Sequence, residues 1–487
     1  MKKLLGILTL LLVFSACGGR TSDINDEGFP FVFGEPLSGE LVISVFDTGF
    51  VAPFLQDVAE LFMAIHEDVT VIIESFSAAP EFRAVQQEDG SEVFILDAGD
   101  QAQQQRDYVN QINTDLMSGR GPDILALDVL PFMRYASAGL LTDLRPFMYY
   151  DPNFNISDYR VNILDAITTD AGMFKFPISF MLDYLTIDST LFSPNQLSAF
   201  EETYVFTLEE LISMASFGDD YRWFSVSASE LFFQMFGLYL GHFIDMENNR
   251  ANFTDGVFVD ILNRIVELDR EGHLAAGMTH TLDFAGLDGT RRYYYKVKNV
   301  GILFNEFNRD DPQRFARPPI SGIEDDDIVI GVLGNRHGQV PFSLGLGGMG
   351  TSFGINANSN NQLLAWEFIR FMSNEALFES FRTLGGFPVH LGAFENAARS
   401  QAAREGMMFV HPAMARDIEL TEAQQARFDA YFKAANALAN SLNTFFIADA
   451  FIFGLVLEET AEFFNGNRTA LEVSETLQSR ITIFLTE

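Results

Sequence analysis

Gly350-Thr351-Ser352-Phe353-Gly354 is the segment whose residue types most directly suggest chemistry. It matches GxSxG, which places a nucleophilic serine on a tight strand-to-helix turn and takes its acid and histidine partners from later in the chain. His390 and His411 do lie downstream. Against the motif, no helix opens after Ser352 before about Asn361. The overlapping Gly345-Leu346-Gly347-Gly348-Met349-Gly350 matches GxGxxG. A dinucleotide site needs that pattern directly between a strand and a helix, whose N-terminus holds the pyrophosphate. Here the strand-like Phe353-Gly354-Ile355-Asn356 follows, so the run reads as a bend where backbone passes close to something. The 7 histidines show no HExxH and no paired ligand spacing. Asp325-Asp326-Asp327 lacks the calcium-loop pattern and reads as a solvated acidic turn. A glycosidase pair is defined by separation in space, so none is assignable among 67 acids. Neither a metal nor a cofactor is expected.

One further reactive residue stands at the N-terminus. Lys2 and Lys3, the apolar run Leu4 to Phe14 and Ser15-Ala16 precede Cys17, the only cysteine in 487 residues. A basic start, a short apolar core and small residues describe an export signal. A cysteine at that point is where a lipoprotein signal puts the residue that receives lipid. Phe14 departs from the leucine usual in a lipobox. The apolar run is shorter than the roughly 20 residues needed to span about 30 Å of hydrocarbon. The diacylglyceryl group adds two acyl chains, enough for stable anchoring where one chain binds marginally. Residues 1–16 are therefore read as a signal peptide, with the mature chain held at the outer face of the cell membrane.

The formal charge is −36, from 67 acids against 31 bases. That excludes nucleic acid as a partner and argues against electrostatic adhesion to anionic lipid. The acids are dispersed, which suits a solvated surface better than a site for a cationic ligand. At 48% apolar and 13% aromatic the chain can bury a large core. With one cysteine, no disulfide supports it.

The elements that must position any site alternate between the two periodicities. Residues 17–39 carry Gly, Ser, Thr, Asp and Pro without period and read as a flexible tether. Leu41 to Phe46 is a buried-type strand, and Phe54, Val58, Leu61, Phe62 and Ile65 make one helical face. Val69 to Ile73 is a second strand, so the unit is βαβ and the strands should be parallel. Residues 77–100 read as an excursion or hairpin, and 101–117 as a polar helix ending at Gly119. A strand follows at Pro122 to Leu127, then a helix from Pro131. Further helices are expected near 207–216, 228–240 and 256–270, a strand at Val300 to Phe304, a helix over Leu364 to Met372, and mostly helix beyond 392.

These segments carry a resemblance. Met117-Ser118-Gly119-Arg120-Gly121-Pro122-Asp123-Ile124 resembles the GxGPD segment of the family 1 extracellular solute-binding proteins. Tyr135 to Leu144, Phe176-Pro177-Ile178-Ser179, Phe353-Gly354-Ile355-Asn356-Ala357-Asn358-Ser359 with Ala365-Trp366-Glu367-Phe368-Ile369, and Gly385-Gly386-Phe387-Pro388-Val389 are similar to later segments, in the right order. The resemblance implies an α/β, two-lobed periplasmic-binding-protein fold of type II, with a hinge between the lobes and a helical C-terminal region. It places 40–178 plus 345–390 in an N-lobe and 179–344 plus 391–487 in a C-lobe. It implies a non-enzymatic, monomeric receptor that hands a solute, expected to be a carbohydrate, to the permease subunits of an ABC importer. By position it implies ligand contacts at Phe46 and Asp47, at Leu127 and Asp128, at Phe180, Met181 and Asp183, and at Phe307, with Trp223 and Phe453 as further ring platforms. Leu127 stands where maltodextrin-binding members carry an aromatic, and Met181 where they carry an acid, which suggests a different ligand. A secreted esterase or glycosidase, and a surface receptor that senses solute, remain the alternatives.

Replacing Cys17 by Ser should move the protein from the membrane fraction to the medium. Equal release of wild type and variant on fractionation would contradict lipidation.

Overall fold

The computed structural model describes residues 29–47, 51–76, 81–86, 92–97, 101–188, 193–195, 197–198, 204–214, 222–224, 226–246, 248–274, 293–299, 327–342, 344, 352–374, 387–403, 418–445 and 450–486. In chain order, β1 (Gly39–Phe46), α1 (Val51–Ile65) and β2 (Val69–Phe76) form the expected βαβ unit. Its strands are parallel, from Gly39↔Val69 to Phe46↔Phe76. Val51, Leu55, Val58 and Phe62 of α1 are buried at helical spacing against the sheet. β3 (Glu81–Gln86) and β4 (Glu92–Asp97) make the antiparallel excursion. α2 (Gln101–Met117) is followed by Gly119 at φ 71, a left-handed backbone that ends the helix. β5 (Ile124–Ala126), α3 (Phe132–Ser137), α4 (Arg145–Tyr150), α5 (Val161–Ile167) and β6 (Phe176–Pro177) complete this part.

β7 (Ser179–Phe180) carries the chain across to β8 (Asp183–Asp188). There follow β9 (Val205–Phe206), α6 (Leu208–Met214), β10 (Arg222–Phe224), α7 (Ala228–Leu238), α8 (Leu240–Phe243), β11 (Ile244–Asp245), β12 (Arg250–Ala251), α9 (Val257–Arg270), β13 (Tyr293–Asn299) and β14 (Asp327–Leu333). The chain returns through β15 (Pro341–Phe342) to β16 (Ser352–Ile355), α10 (Gln362–Met372) and β17 (Phe387–Pro388). It ends with α11 (Leu391–Ala402), α12 (Glu422–Ser441), β18 (Thr444–Phe445), α13 (Ala450–Phe464) and α14 (Ala470–Thr486). The strand expected at Val300 to Phe304 lies outside the described residues.

Two five-stranded sheets result, in the orders β2-β1-β5-β16-β6 and β10-β13-β8-β14-β9. Their cores meet at the second sheet, where Tyr184 and Val332 join the first cluster and Leu185 and Leu333 the second. One cluster packs Ile43, Val45, Phe176 and Trp366 on the first sheet and extends through the crossing at Phe180 and Phe342. A second packs Leu185, Phe236, Phe258 and Leu477 on the second sheet. A third, with Tyr108, Leu125, Leu127 and Phe132, covers the other face of the first sheet. The short pairs β7–β17 and β15–β18 lie at the crossings between the lobes. The residues after 390 do not all pack with one sheet. Ala393 to Leu442 join the first cluster, whereas Ile452 to Leu485 join the second.

The final part of the expected tether is docked rather than loose. Phe29, Phe31 and Phe33 alternate with Pro30 and Val32, so the rings share one side. The Phe29 ring centroid is 5.0 Å from Phe147 and 5.0 Å from Tyr150, and Phe31 is 5.3 Å from Phe147.

The first sheet tolerates no side chain at Gly354. A Cβ there would stand 2.6 Å from Leu127 Cδ1 and 2.8 Å from the Phe174 carbonyl oxygen. Gly354→Ala should lower stability by about 1–3 kcal/mol through overpacking against backbone, measured as a lower urea midpoint.

Candidate functional site

The first sheet defines an edge. β1 and β5 are parallel, and β16 runs antiparallel to both β5 and β6. The C-terminal ends of β1, β5 and β6 and the start of β16 therefore lie together. Open α/β sheets bind ligands outside the carboxyl ends of their strands. Phe46 and Asp47, Leu127 and Asp128, Ser352 and Pro177 all stand at this edge.

The polar residues here are already engaged. Asp47 Oδ1 accepts from the backbone N–H groups of Val51 and Ala52, both at 3.2 Å, at the first turn of α1. Asp128 Oδ1 accepts from the Ser352 hydroxyl at 2.7 Å, and its Oδ2 from the Ser352 N–H at 3.4 Å. Ser352 is fully buried at the start of a strand, paired with Pro177 across to β6. A nucleophile elbow needs an exposed hydroxyl on a strand-to-helix turn. Ser352 has neither feature, so the GxSxG match is a buried hydrogen-bond donor. The six-residue glycine run before it lies outside the described residues.

The rings divide differently. Phe46 is buried 5.7 Å from the Tyr108 ring. Burial also raises the Tyr108 phenol pKa, so it stays protonated. Phe180 and Met181 have no exposed surface, and the Phe180 ring lies 5.7 Å from Phe387 and 6.4 Å from Phe342 in the crossing. Leu127 is buried, its N–H donating to the Ser352 carbonyl at 3.0 Å. Phe453, on α13, stacks on Phe233 at 5.8 Å within the second core. Asp183 begins β8 and Trp223 lies in β10. Phe307 lies outside the described residues. The structure thus gathers Phe46, Asp47, Leu127 and Asp128 at one edge and buries Phe180 and Met181 at the crossing between the sheets.

Sequence reasoning missed Lys175. It is 4% exposed, immediately before β6. Its Nζ lies 4.2 Å from the centroid of the Phe132 ring and 5.0 Å from that of Phe445. Burial lowers its pKa from 10.5 to about 8, opposed by the nearby Asp128 carboxylate. The signal available in the sequence was a lone cation in Phe174-Lys175-Phe176, where the alternation of a strand buries one face or the other. Beside it, a crevice of about 240 Å³ opens between the lobes, walled by Phe132, Ile167 and Phe445 on one side and by Gly241, Ile244 and Met246 on the other. Arg134 of α3 spans the lobes nearby, with its guanidinium 4.0 Å over the Phe484 ring of α14.

Solved structures share this architecture over nearly the whole chain. A family 1 extracellular solute-binding protein from Alicyclobacillus acidocaldarius has 14% identity, covers 92% of this chain and 99% of its own, and superposes at a TM-score of 0.56. The chain has the fold of the family 1 extracellular solute-binding proteins. A periplasmic oligogalacturonide-binding protein from Yersinia enterocolitica matches at 11% identity, 92% and 99% coverage and a TM-score of 0.55. A cyclic α-maltosyl-1,6-maltose-binding protein from Arthrobacter globiformis matches at 13%, 92% and 99%, with a TM-score of 0.52. Two de novo designed esterases also match, at TM-scores of 0.54 and 0.55, so fold alone does not separate binding from catalysis. No family model and no curated protein matches the chain.

The buried ammonium makes stability depend on pH. Its folded pKa lies below the ordinary lysine value, so from pH 8 to 10.5 the unfolded chain binds more protons and stability rises with pH. Below pH 8 the burial penalty is present in full. Lys175→Met should therefore be more stable than wild type at pH 7, by about 3 kcal/mol. The difference should shrink as pH rises from 8 towards 10.5, measured by urea unfolding of both proteins.

Proposed function

We propose that this chain is the extracytoplasmic solute receptor of an ABC importer, lipid-anchored through Cys17, which closes its two lobes on a carbohydrate. The observation that supports the proposal is the pair of distinct five-stranded sheets, with a chain that crosses between them through the short pairs β7–β17 and β15–β18. Two sheets on such a connection would move about it as a hinge, and a ligand that touches both lobes would favour the closed state. A transporter can then distinguish loaded from empty receptor by shape.

A carbohydrate is the solute class that the Yersinia and Arthrobacter proteins are named for. Aromatic faces match the apolar faces of sugar rings, and carboxylates accept hydrogen bonds from hydroxyls. Phe46, Asp47, Leu127 and Asp128 would serve from the first lobe; Asp183, Trp223, Phe307 and Phe453 from the second; Phe180 and Met181 would act as hinge residues between them. Among the described residues no helix is long and apolar enough to cross a membrane. Attachment would then depend on the lipid. The protein would work as a monomer beside its permease, without a cofactor and without catalysis.

A thermal-shift screen of oligosaccharides, peptides and polyamines against the purified chain tests this. A saccharide at a hundredfold excess over its Kd should add about 2.7 kcal/mol to stability. It should also reduce the radius of gyration in small-angle scattering. Stabilisation by polyamines alone would overturn the carbohydrate assignment. Hydrolysis of a sugar or an ester that Ser352→Ala abolishes would overturn the receptor.

A further inference from the structure

Lys175 is a cation buried without a matching anion in contact. Asp128, the carboxylate whose field reaches it, already accepts two hydrogen bonds from Ser352. Among the described residues, the Lys175 ammonium makes neither an ion pair nor a hydrogen bond; two ring faces are its neighbours. Ring quadrupoles attract a cation, but they return less than the desolvation of an ammonium takes away. A methionine or leucine would fill the same space without that penalty. A site kept at a cost in stability is the usual mark of a group held for binding.

Its position fits a ligand. Lys175 lies one residue before β6, two residues in from the edge where the C-terminal ends of β1, β5 and β6 meet, and its ammonium stands beside Phe132, which follows β5. Phe132 and Phe445, which flank the ammonium, also wall the crevice between the lobes. With a pKa of about 8 the group is largely charged at neutral pH.

We propose that Lys175, held between Phe132 and Phe445 beside Asp128, is the subsite for a carboxylate of the solute, and that the receptor takes an acidic saccharide of the uronate class. The assignment rests on the carbohydrate-receptor function proposed above. The overall charge of −36 does not oppose it at close range. At physiological salt the field of dispersed surface charges decays over about 8 Å, while a buried contact is hardly screened. The ring walls then serve twice, stacking on the sugar and keeping water from the ion pair.

Isothermal titration of the full-length chain with trigalacturonate and with its fully methyl-esterified, neutral counterpart tests the subsite. Wild type should bind the acid at least tenfold more tightly than the ester. Lys175→Met should weaken the acid at least tenfold and leave the ester unchanged, while Lys175→Arg keeps most of the preference. A structural lysine would give the opposite pattern for the acid: Lys175→Met would bind it as tightly as wild type. Equal affinity of wild type for acid and ester, or an unchanged acid affinity in Lys175→Met, overturns the subsite and leaves the receptor standing. If wild type binds neither form and no other saccharide in the thermal-shift screen, the carbohydrate receptor falls and the subsite with it. Should Lys175→Met not fold, the acid-against-ester ratio on wild type and on Lys175→Arg decides.

Discussion

The carboxylate of Asp123 holds the first lobe in register. Its Oδ2 accepts from the Val42 N–H at 2.8 Å, and its Oδ1 from the Ser359 hydroxyl at 2.5 Å and the Asn361 side chain at 3.3 Å. Asn356 completes the knot by donating to the Pro122 carbonyl at 3.0 Å. One buried anion thereby ties β1, the entry to β5, and the turn that leads from β16 into α10. Hydrogen bonds to a charged group are the stronger kind, and each donor left behind in the interior would carry its own desolvation penalty. Everything functional at the other end of these strands depends on their relative position being held here.

That tie also explains why the chain can return to its first sheet after more than 150 residues in the second lobe. β16 enters between β5 and β6 with antiparallel pairing on both sides. Its Gly354 has no room for a Cβ, which lets β16 lie against Leu127 and the Phe174 carbonyl. The strands whose C-terminal ends form the candidate-site edge are thus clamped from behind by Asp123 and closely packed at Gly354. The crossings between the lobes include two-residue strand pairs, the rings of Phe180, Phe342 and Phe387, and the Arg134 guanidinium over Phe484.

The electrostatics run on two scales. The net charge of −36 acts over a screened distance, whereas a buried ammonium such as Lys175 interacts over one contact. Asp128 connects them. It is held by Ser352, so its charge stays near Lys175 without swinging in to neutralise it. The same hydroxyl that looks like a nucleophile in the linear sequence is therefore a positioning group for a carboxylate.

The amino-acid sequence alone settled the local elements and, through motif order, the fold. Period-2 and period-3.6 runs marked β1, α1, β2, α10 and the C-terminal helices because those apolar faces follow from backbone geometry. The GPD and GINANS segments were legible as a resemblance, although their reason, the Asp123 knot, joins residues more than 230 positions apart. Which phenylalanines line a cleft was not legible. Phe46, Phe180 and Phe453 differ only in what surrounds them, and a ring has the same type in a core as on a platform. Lys175 was invisible for the same reason: its burial against the rings of Phe132 and Phe445, with no ion pair among the described residues, is created only by packing. Local periodicity is written in neighbouring residues, whereas burial and charge compensation belong to groups brought together from distant parts of the chain.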